Sequence, residues 1–426
     1  MKAFRPGTSP TEPGSICSKA MSKIHAIRLA DSIAFTGALG LSIAVRISLM
    51  EFKSLDYYAS LKPWYNAIMA AGFAAFATGF STYNPPYLYL LYLVARFLPD
   101  LPVVVAVKLP PVVADFICAY LVFLIVREAA GQRLVFSLLA GFGVLFAPSV
   151  ILNSSFWGQA DSLYTVGILA CVYFLILRRP GVAMLCFGIA LAFKLQAIFL
   201  APVLLALLLR GNLPWRTMLL VPLMLFLAIL PSWLAGRPLG QLLGVYVYQA
   251  SQFEFITMNA PSIYAFLPNT KQVFNLLYVP GILMGAAAAF TWFILLFKAP
   301  RPIEGRLLLA VTLVSLLAVP LFLPKMHERY FFPADILAIA LAFLYPRLYY
   351  VPILVLGVSF LSYQPFLFER DFVPLDVLAL VLVSTAAMLS YHALRHLYGT
   401  AGSGGEASRP SQQESLDQLG VDRAVG

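Results

Sequence analysis

The run VAMLCFGIALAFKLQAIFLAPVLLALLL, residues 182–209, decides the class of the fold. Apart from Lys194 and Gln196 near its middle, it consists of apolar residues, a glycine and a proline. A helix that crosses the hydrocarbon core of a bilayer needs about 20 apolar residues, so this run is long enough to enter a membrane. The polar break in its middle predicts two short helices that meet near Lys194.

The rest of the chain has the composition of a membrane protein. Of its 426 residues, 61% are hydrophobic and 11% are charged, and the mean hydropathy is +0.85. A soluble domain carries about 25% charged residues. Apolar runs of membrane-span length recur along the chain, and in lipid they must be helical because each backbone amide needs a partner in its own segment. The sequence therefore predicts an all-α, polytopic membrane protein.

We predict about twelve transmembrane helices in one membrane domain, residues 27–394. A polar cytoplasmic arm (1–26) precedes it and a disordered cytoplasmic tail (395–426) follows it. The net charge of +10 fits an excess of Lys and Arg in cytoplasmic segments, so nucleic-acid binding is not predicted. The predicted spans are 27–49, 110–126, 134–152, 161–177, 182–193, 197–209, 217–235, 276–297, 307–323, 331–346, 348–364 and 375–394.

This orientation predicts a long first outer loop, residues 50–109. It is expected to hold interfacial helices, of which 85–98 is one, because that segment is short and begins with a pair of prolines. The polar motifs of the chain then all fall on the non-cytoplasmic face of the membrane.

Polar residues at membrane depth are costly, which makes them candidates for function. Lys194 is one of them, because a buried ammonium needs a counter-charge. Others have simpler explanations: Asp161 could cap a helix, Trp157 could anchor the interface, and the basic residues at 325–329 could extend to solvent. The full set is Asp56, Tyr83, Asn84, Lys108, Asp115, Asn153, Trp157, Gln159, Asp161, Lys194, Gln196, Asn259, Lys325, His327 and Arg329.

Together these residue types indicate one kind of chemistry. Arginine forks and lysine charges suit an anionic head group. Aromatic faces with amide and hydroxyl groups suit a sugar, and one carboxylate could act as a general base toward an acceptor hydroxyl. The basic residues would stabilise charge on a departing phosphate.

At these motifs the chain resembles the GT-C superfamily of glycosyltransferases that use polyprenyl-phosphate sugars. Within it, the chain is most similar to the bacterial group related to the second mannosyltransferase of GPI-anchor synthesis, the PIG-V-like proteins. The strings that carry the resemblance are LDYY (55–58), YNPPY (83–87), NSSFWGQAD (153–161), FGIALAFKLQAIF (187–199), NAPSIY (259–264) and LPKMHERYFF (323–332).

The resemblance implies that Asp56 is the catalytic residue, in the first outer loop. It implies a donor phosphate site at Lys194, Lys325, His327 and Arg329. Many GT-C proteins carry paired acidic residues in this loop, whereas Tyr57 and Tyr58 follow Asp56 here, which favours a single base over a metal held by adjacent carboxylates. The residues expected to contact the sugar or the acceptor are Tyr83, Asn84, Asn153, Trp157, Gln159, Asp161, Gln196 and Asn259.

No cofactor is predicted, although a divalent metal stays open. The four cysteines, Cys17, Cys118, Cys171 and Cys186, have no zinc-like spacing and indicate neither a metal site nor disulfides.

The expected function is transfer of a hexose, mannose in the closest resemblance, from a polyprenyl-phosphate donor to a hydroxyl on a lipid- or glycan-linked acceptor. The reaction would invert the anomeric carbon, outside the plasma membrane of a bacterium. One alternative is a flippase or transporter of lipid-linked sugars, which would typically show repeat symmetry and broken helices at the midplane. Another is a polysaccharide polymerase or ligase, which would share the donor chemistry without Asp56 as its base.

Overall fold

The computed structural model describes residues 32–131 and 134–399, and nearly all of them are helical. This confirms the predicted all-α, polytopic fold class. The predicted arm, 1–26, lies outside the described residues, as does most of the predicted tail, 395–426. The last described helix continues to Tyr398 and so includes the first residues of that tail.

Seventeen α-helices are described, from short single turns to membrane-span length. In chain order, α1 to α9 are Ser32–Leu49, Lys62–Ala71, Pro85–Phe97, Val103–Ala130, Leu134–Leu145, Pro148–Ile151, Asp161–Ile176, Pro180–Phe193 and Ala201–Leu209. Helices α10 to α17 are Leu220–Leu234, Leu239–Leu243, Val245–Ser251, Lys271–Phe297, Gly305–Phe322, Phe332–Leu344, Tyr350–Phe368 and Leu375–Tyr398. Two π-helices, Tyr57–Leu61 and Leu152–Trp157, and a parallel pair of short strands, β1 (Thr257–Met258) and β2 (Met326–His327), complete the elements used below.

Seven helices of the described part are long and apolar enough to cross a membrane. An eighth is present if Leu134–Leu145 and Pro148–Trp157, which are bent by 46° at a break, count as one span. Shorter apolar helices are Asp161–Ile176, Pro180–Phe193 and Leu195–Leu209. The chain is thus an integral membrane protein, and the count of twelve spans stays a prediction.

The predicted break near Lys194 is confirmed. Helix α8 ends at Phe193, Lys194 is extended (φ −148°, ψ 136°), and a 3₁₀ turn leads into α9. Two side chains donate hydrogen bonds to backbone carbonyl groups in the last turn of α8. Asn84 donates to the Ala192 oxygen at 2.6 Å, and the Tyr246 hydroxyl donates to the Leu191 oxygen. Because these acceptors are already satisfied, the chain can leave the helix inside an apolar run.

The first connection, residues 50–102, contains α2 and α3. These helices are 10 and 13 residues long, about 15 and 20 Å, and are too short to cross a core of about 30 Å. The predicted start of the next span, at 110, is wrong: α4 begins at Val103 and continues through Pro110 and Pro111. The helix tolerates Pro111 because the Tyr87 hydroxyl donates to the Val107 oxygen that a residue-111 amide would bind.

The core of the bundle lies around α14 and α15, where most side chains are buried. Helices α7 and α8 pack closely, since a Cβ on Gly167 would lie 2.7 Å from the Ala190 Cβ. At one end of this bundle, the first connection, the turn after the second π-helix and the β1–β2 pair meet. We call this the cavity end.

Candidate active site

A cavity of about 450 Å³ lies at the cavity end of the bundle. Segments distant in sequence form it: the first connection, the turn at 157–159, the β1 and β2 segments, and α16. Seven of the residues predicted from the sequence line this cavity: Asp56, Tyr83, Trp157, Gln159, Asn259, His327 and Arg329.

Asp56 directly precedes the first π-helix and is half-buried at the cavity wall. One carboxylate oxygen, Oδ2, accepts from Trp157 Nε1 at 2.8 Å and from Gln159 Nε2 at 2.6 Å. No side chain or backbone amide in the described part of the chain donates to Oδ1. The two N–H groups therefore fix the orientation of the carboxylate and leave one oxygen free to accept a proton from a bound molecule.

Tyr83 orients the side chain of Gln159. Its hydroxyl donates to Gln159 Oε1 at 3.5 Å, which points the amide nitrogen of Gln159 toward Asp56. Burial raises the pKa of Tyr83 to about 12, so its hydroxyl stays protonated and acts as a donor at neutral pH. Trp157 is 1% exposed and stacks on Phe366, so it is a wall of the cavity and not the exposed interfacial anchor of the simpler interpretation.

Arg329 lies on the other side of Trp157. Its guanidinium carbon lies 5.7 Å from the centre of the Trp157 ring and 5.5 Å from that of Tyr330. Within the described residues it has neither a carboxylate within 4 Å nor a hydrogen-bond acceptor, and its Nε is buried without a partner. A guanidinium held by aromatic faces, with its donors unused at a cavity wall, is suited to a bidentate bond with an anion.

The β1–β2 pair places the neighbours of Arg329. Met258 pairs with His327, and Asn259, with φ +55°, bridges to the same histidine. Burial and the positive charges of Arg329 and Lys194 hold the pKa of His327 well below its usual range. At neutral pH His327 therefore offers an N–H group but no charge, which changes its expected role at a phosphate.

Lys194 and Asp161 form a buried ion pair behind the cavity. Lys194 Nζ lies 2.5 Å from Asp161 Oδ1, and Asn153 Nδ2 donates to Asp161 Oδ2 at 3.0 Å. The ammonium also lies 5.5 Å from the centre of the Tyr83 ring. The structure thus brings these three predicted residues together, but it places them behind Tyr83 and not in the cavity wall.

Three further predicted residues also lie away from the cavity wall. Asn84 is buried and is used at the end of α8. Gln196 is half-buried in the 3₁₀ turn after Lys194. Lys325 donates to the Ala250 oxygen at 2.5 Å and lies over the ring of Tyr278 at 5.3 Å.

Several residues that line the cavity are not among the candidates predicted from the sequence. Glu328 is 2% exposed, and burial is the main cause that raises its pKa to about 7. Its position between His327 and Arg329 was a usable signal. Trp64, in the first connection, was visible as an aromatic near Asp56, whereas Thr257 and Asn269 carry no local signal, because only the fold brings them there.

In residues 32–131 and 134–399, no group of three or more His, Cys, Asp or Glu side chains is arranged to hold a metal ion. A reaction that proceeds without a metal remains a prediction, and it rests on the sequence, in which Tyr57 and Tyr58 follow Asp56 in place of a second acidic residue.

No protein-family model matches the chain, and no curated protein matches it in sequence. Among solved structures, its fold is similar to that of ArnT from Cupriavidus metallidurans bound to undecaprenyl phosphate, with a TM-score of 0.52 and 12% identity. The similarity covers 84% of this chain and 77% of that one. It confirms the predicted GT-C-like fold.

Proposed function

We propose that the protein is a membrane glycosyltransferase that moves a hexose, such as mannose, from a polyprenyl-phosphate donor to an acceptor hydroxyl. One observation carries this proposal: Asp56, with one carboxylate oxygen that accepts no hydrogen bond from the described residues, and Arg329, with no carboxylate of those residues within 4 Å, line the same cavity. A proton acceptor and an anion site on one cavity are the two groups that such a transfer requires.

Trp157 links the two groups physically. Its indole N–H binds Asp56, and the face of its ring lies against Arg329. We place the sugar beside this ring, so that its reacting carbon would lie between the proposed base and the proposed phosphate site. That arrangement is the one expected for direct displacement.

In the proposed reaction, the acceptor oxygen attacks the anomeric carbon while Asp56 accepts the hydroxyl proton. The bond between the anomeric carbon and the phosphate oxygen breaks, and its electron pair leaves with the polyprenyl phosphate. Arg329 stabilises this leaving charge, and His327 contributes an N–H group. A single direct displacement inverts the anomeric carbon.

The structural neighbour supports the donor class. ArnT, a GT-C glycosyltransferase, was solved with undecaprenyl phosphate bound, and the present fold resembles it over most of its length. We extend to this chain a polyprenyl-phosphate carrier, with a lipid or glycan as acceptor. The distribution of basic residues supports a cavity end outside the bacterial plasma membrane.

The test is to incubate purified protein with a panel of polyprenyl-phosphate sugars and to measure released polyprenyl phosphate, with the Asp56→Asn variant as the matched control. We expect release from at least one donor by the wild type and almost none by the variant. A flippase would move donor between leaflets without consuming it. Donor that stays intact across the panel, with acceptors supplied, would show the proposal to be wrong.

A further inference from the structure

Lys108 is a buried cation that the proposed reaction does not use. It lies on α4, is 0% exposed, and has no carboxylate within 4 Å in the described part of the chain. Its ammonium donates three hydrogen bonds to backbone oxygens: 3.0 Å to Met50, 2.7 Å to Phe52 and 2.7 Å to Phe156. An ammonium has three donors, so these bonds use all of them.

The three oxygens belong to two helix ends. Met50 and Phe52 follow the end of α1, and Phe156 lies in the last turn of the second π-helix. Carbonyls at helix C-termini lack intrahelical donors and carry partial negative charge, so they favour a cation. Lys108 therefore fits its site without a carboxylate, because two helix ends together supply the counter-charge.

These helix ends lead directly into the candidate active site. The first continues from Phe52 to Asp56, and the second continues from Phe156 to Trp157 and Gln159. The Phe52 and Phe156 rings stack with their centres 3.7 Å apart. Asp56 and its two N–H donors, Trp157 and Gln159, thus lie on two segments that both accept hydrogen bonds from the Lys108 ammonium.

The turn after the second helix is shaped to receive the lysine. Gly158 has φ +87°, and a Cβ there would lie 3.3 Å from Lys108 Cγ and 3.2 Å from Leu61 Cδ1. The stem of Lys108 therefore packs against the backbone that joins Trp157 to Gln159. Ser54 adds a second link between the segments, with its hydroxyl donating to the Trp157 oxygen at 3.2 Å.

We infer that Lys108 is a positioning residue. Its ammonium holds the Asp56 segment and the Trp157–Gln159 turn in the relative position that the proposed transfer requires. This inference rests on the proposed function for its consequence in catalysis. Its structural part, the placement of Trp157 by Lys108, can be tested without any substrate.

Lys108→Met keeps most of the side-chain volume and removes the ammonium, whereas Lys108→Arg keeps a cation. The matched control is Arg210→Met. Arg210 also binds backbone oxygens at a helix end, donating to Leu296 at 3.0 Å and to Ala299 at 2.5 Å. It lies beyond α9, at the end of the bundle away from the cavity.

The first readout is the ¹⁹F resonance of Trp157 in protein labelled with 5-fluorotryptophan, identified by its loss in Trp157→Phe. We expect the resonance to shift or broaden in Lys108→Met and to stay in place in Arg210→Met. The second readout is kinetic: per folded enzyme, kcat should fall by roughly 10- to 100-fold in Lys108→Met with little change in the donor KM, because misplacement of reacting groups affects the transition state. Lys108→Arg should recover part of kcat.

If Lys108 only stabilises the fold, Lys108→Met and Arg210→Met will both lower the folded fraction while the Trp157 resonance and kcat per folded enzyme stay unchanged, which overturns the inference. If Lys108→Met does not fold, Lys108→Gln and Lys108→Arg carry the same comparison. If the wild type transfers no sugar, the proposed function fails, but the resonance still decides whether Lys108 places Trp157.

Discussion

Two cations near the cavity, Lys194 and Arg329, differ in how their charge is balanced. Lys194 lies at the break between α8 and α9 and has Asp161 at 2.5 Å. Arg329, after β2, lies over the rings of Trp157 and Tyr330; in the described part of the chain it has no carboxylate within 4 Å, and its Nε is buried without a partner. Both were expected to bind phosphate. The difference teaches that a cation with an internal carboxylate is already neutralised, whereas a cation without one is available to an anionic substrate.

The largest expected effect concerns Asp56, the carboxylate that lines the same cavity as Arg329. Asp56→Asn preserves shape and removes the proton acceptor, so kcat should fall by about 10²- to 10⁴-fold. Donor binding should persist, because the proposed phosphate site, Arg329, is a different part of the cavity wall. Both quantities can be measured on one purified variant. Near-normal transfer by Asp56→Asn would mean that another group is the base.

The buried ion pair between Lys194 and Asp161 predicts an effect on stability. Asp161→Asn leaves the buried Lys194 ammonium without its counter-charge, which should lower the free energy of unfolding by about 3–5 kcal/mol. Adding Lys194→Met to this variant should restore much of the loss, because no unpaired charge remains. Thermal unfolding in detergent measures both.

The control for this prediction is an exposed ion pair. Arg178 and Glu304 lie 2.7 Å apart, with 79% and 49% of their side chains exposed. Glu304→Gln should change stability by less than about 1 kcal/mol, because water screens such pairs. Equal losses in Asp161→Asn and Glu304→Gln would remove the distinction between a sealed and an exposed pair.

A smaller effect is expected for Arg329→Lys, which keeps the charge and loses the fork. Loss of a bidentate bond to phosphate should weaken donor use by about 1.5–3 kcal/mol, or roughly 10- to 150-fold in kcat/KM. Arg347→Lys, at an exposed position in the 3₁₀ turn Pro346–Leu348, should behave as the wild type. Two equally active variants would indicate that Arg329 has no role at the donor phosphate.

The last expected effect is a pH dependence of stability from Glu328. Its pKa is raised to about 7 from an ordinary value of 4.5. A raised pKa in the folded state means that the stability contributed by the protonated form is present below about pH 4.5 and is lost as the pH rises through about 7. The Tm of the wild type should therefore fall relative to Glu328→Gln between pH 5 and 8. Parallel Tm curves would contradict this.

The break at Lys194 could be predicted from the sequence, whereas the start of α4 could not. The break was predictable, because a charge inside an apolar run is a local signal. The start of α4 was not: Pro110 and Pro111 indicate a helix start, but Tyr87 supplies the hydrogen bond that the proline ring removes. A local pattern contains no information on a donor that arrives from another helix.

The candidate site likewise has features that the sequence predicts and features that it does not. The sequence by itself determined the membrane class, the helical elements and the residue types available for chemistry, because these follow from composition and from the cost of polar groups in lipid. Only the tertiary structure decided which charges are paired. Asp161 neutralises Lys194 across 33 residues of chain, and Trp157 binds Asp56 across 101. Electrostatic energy depends on distance in space, and helix packing sets that distance.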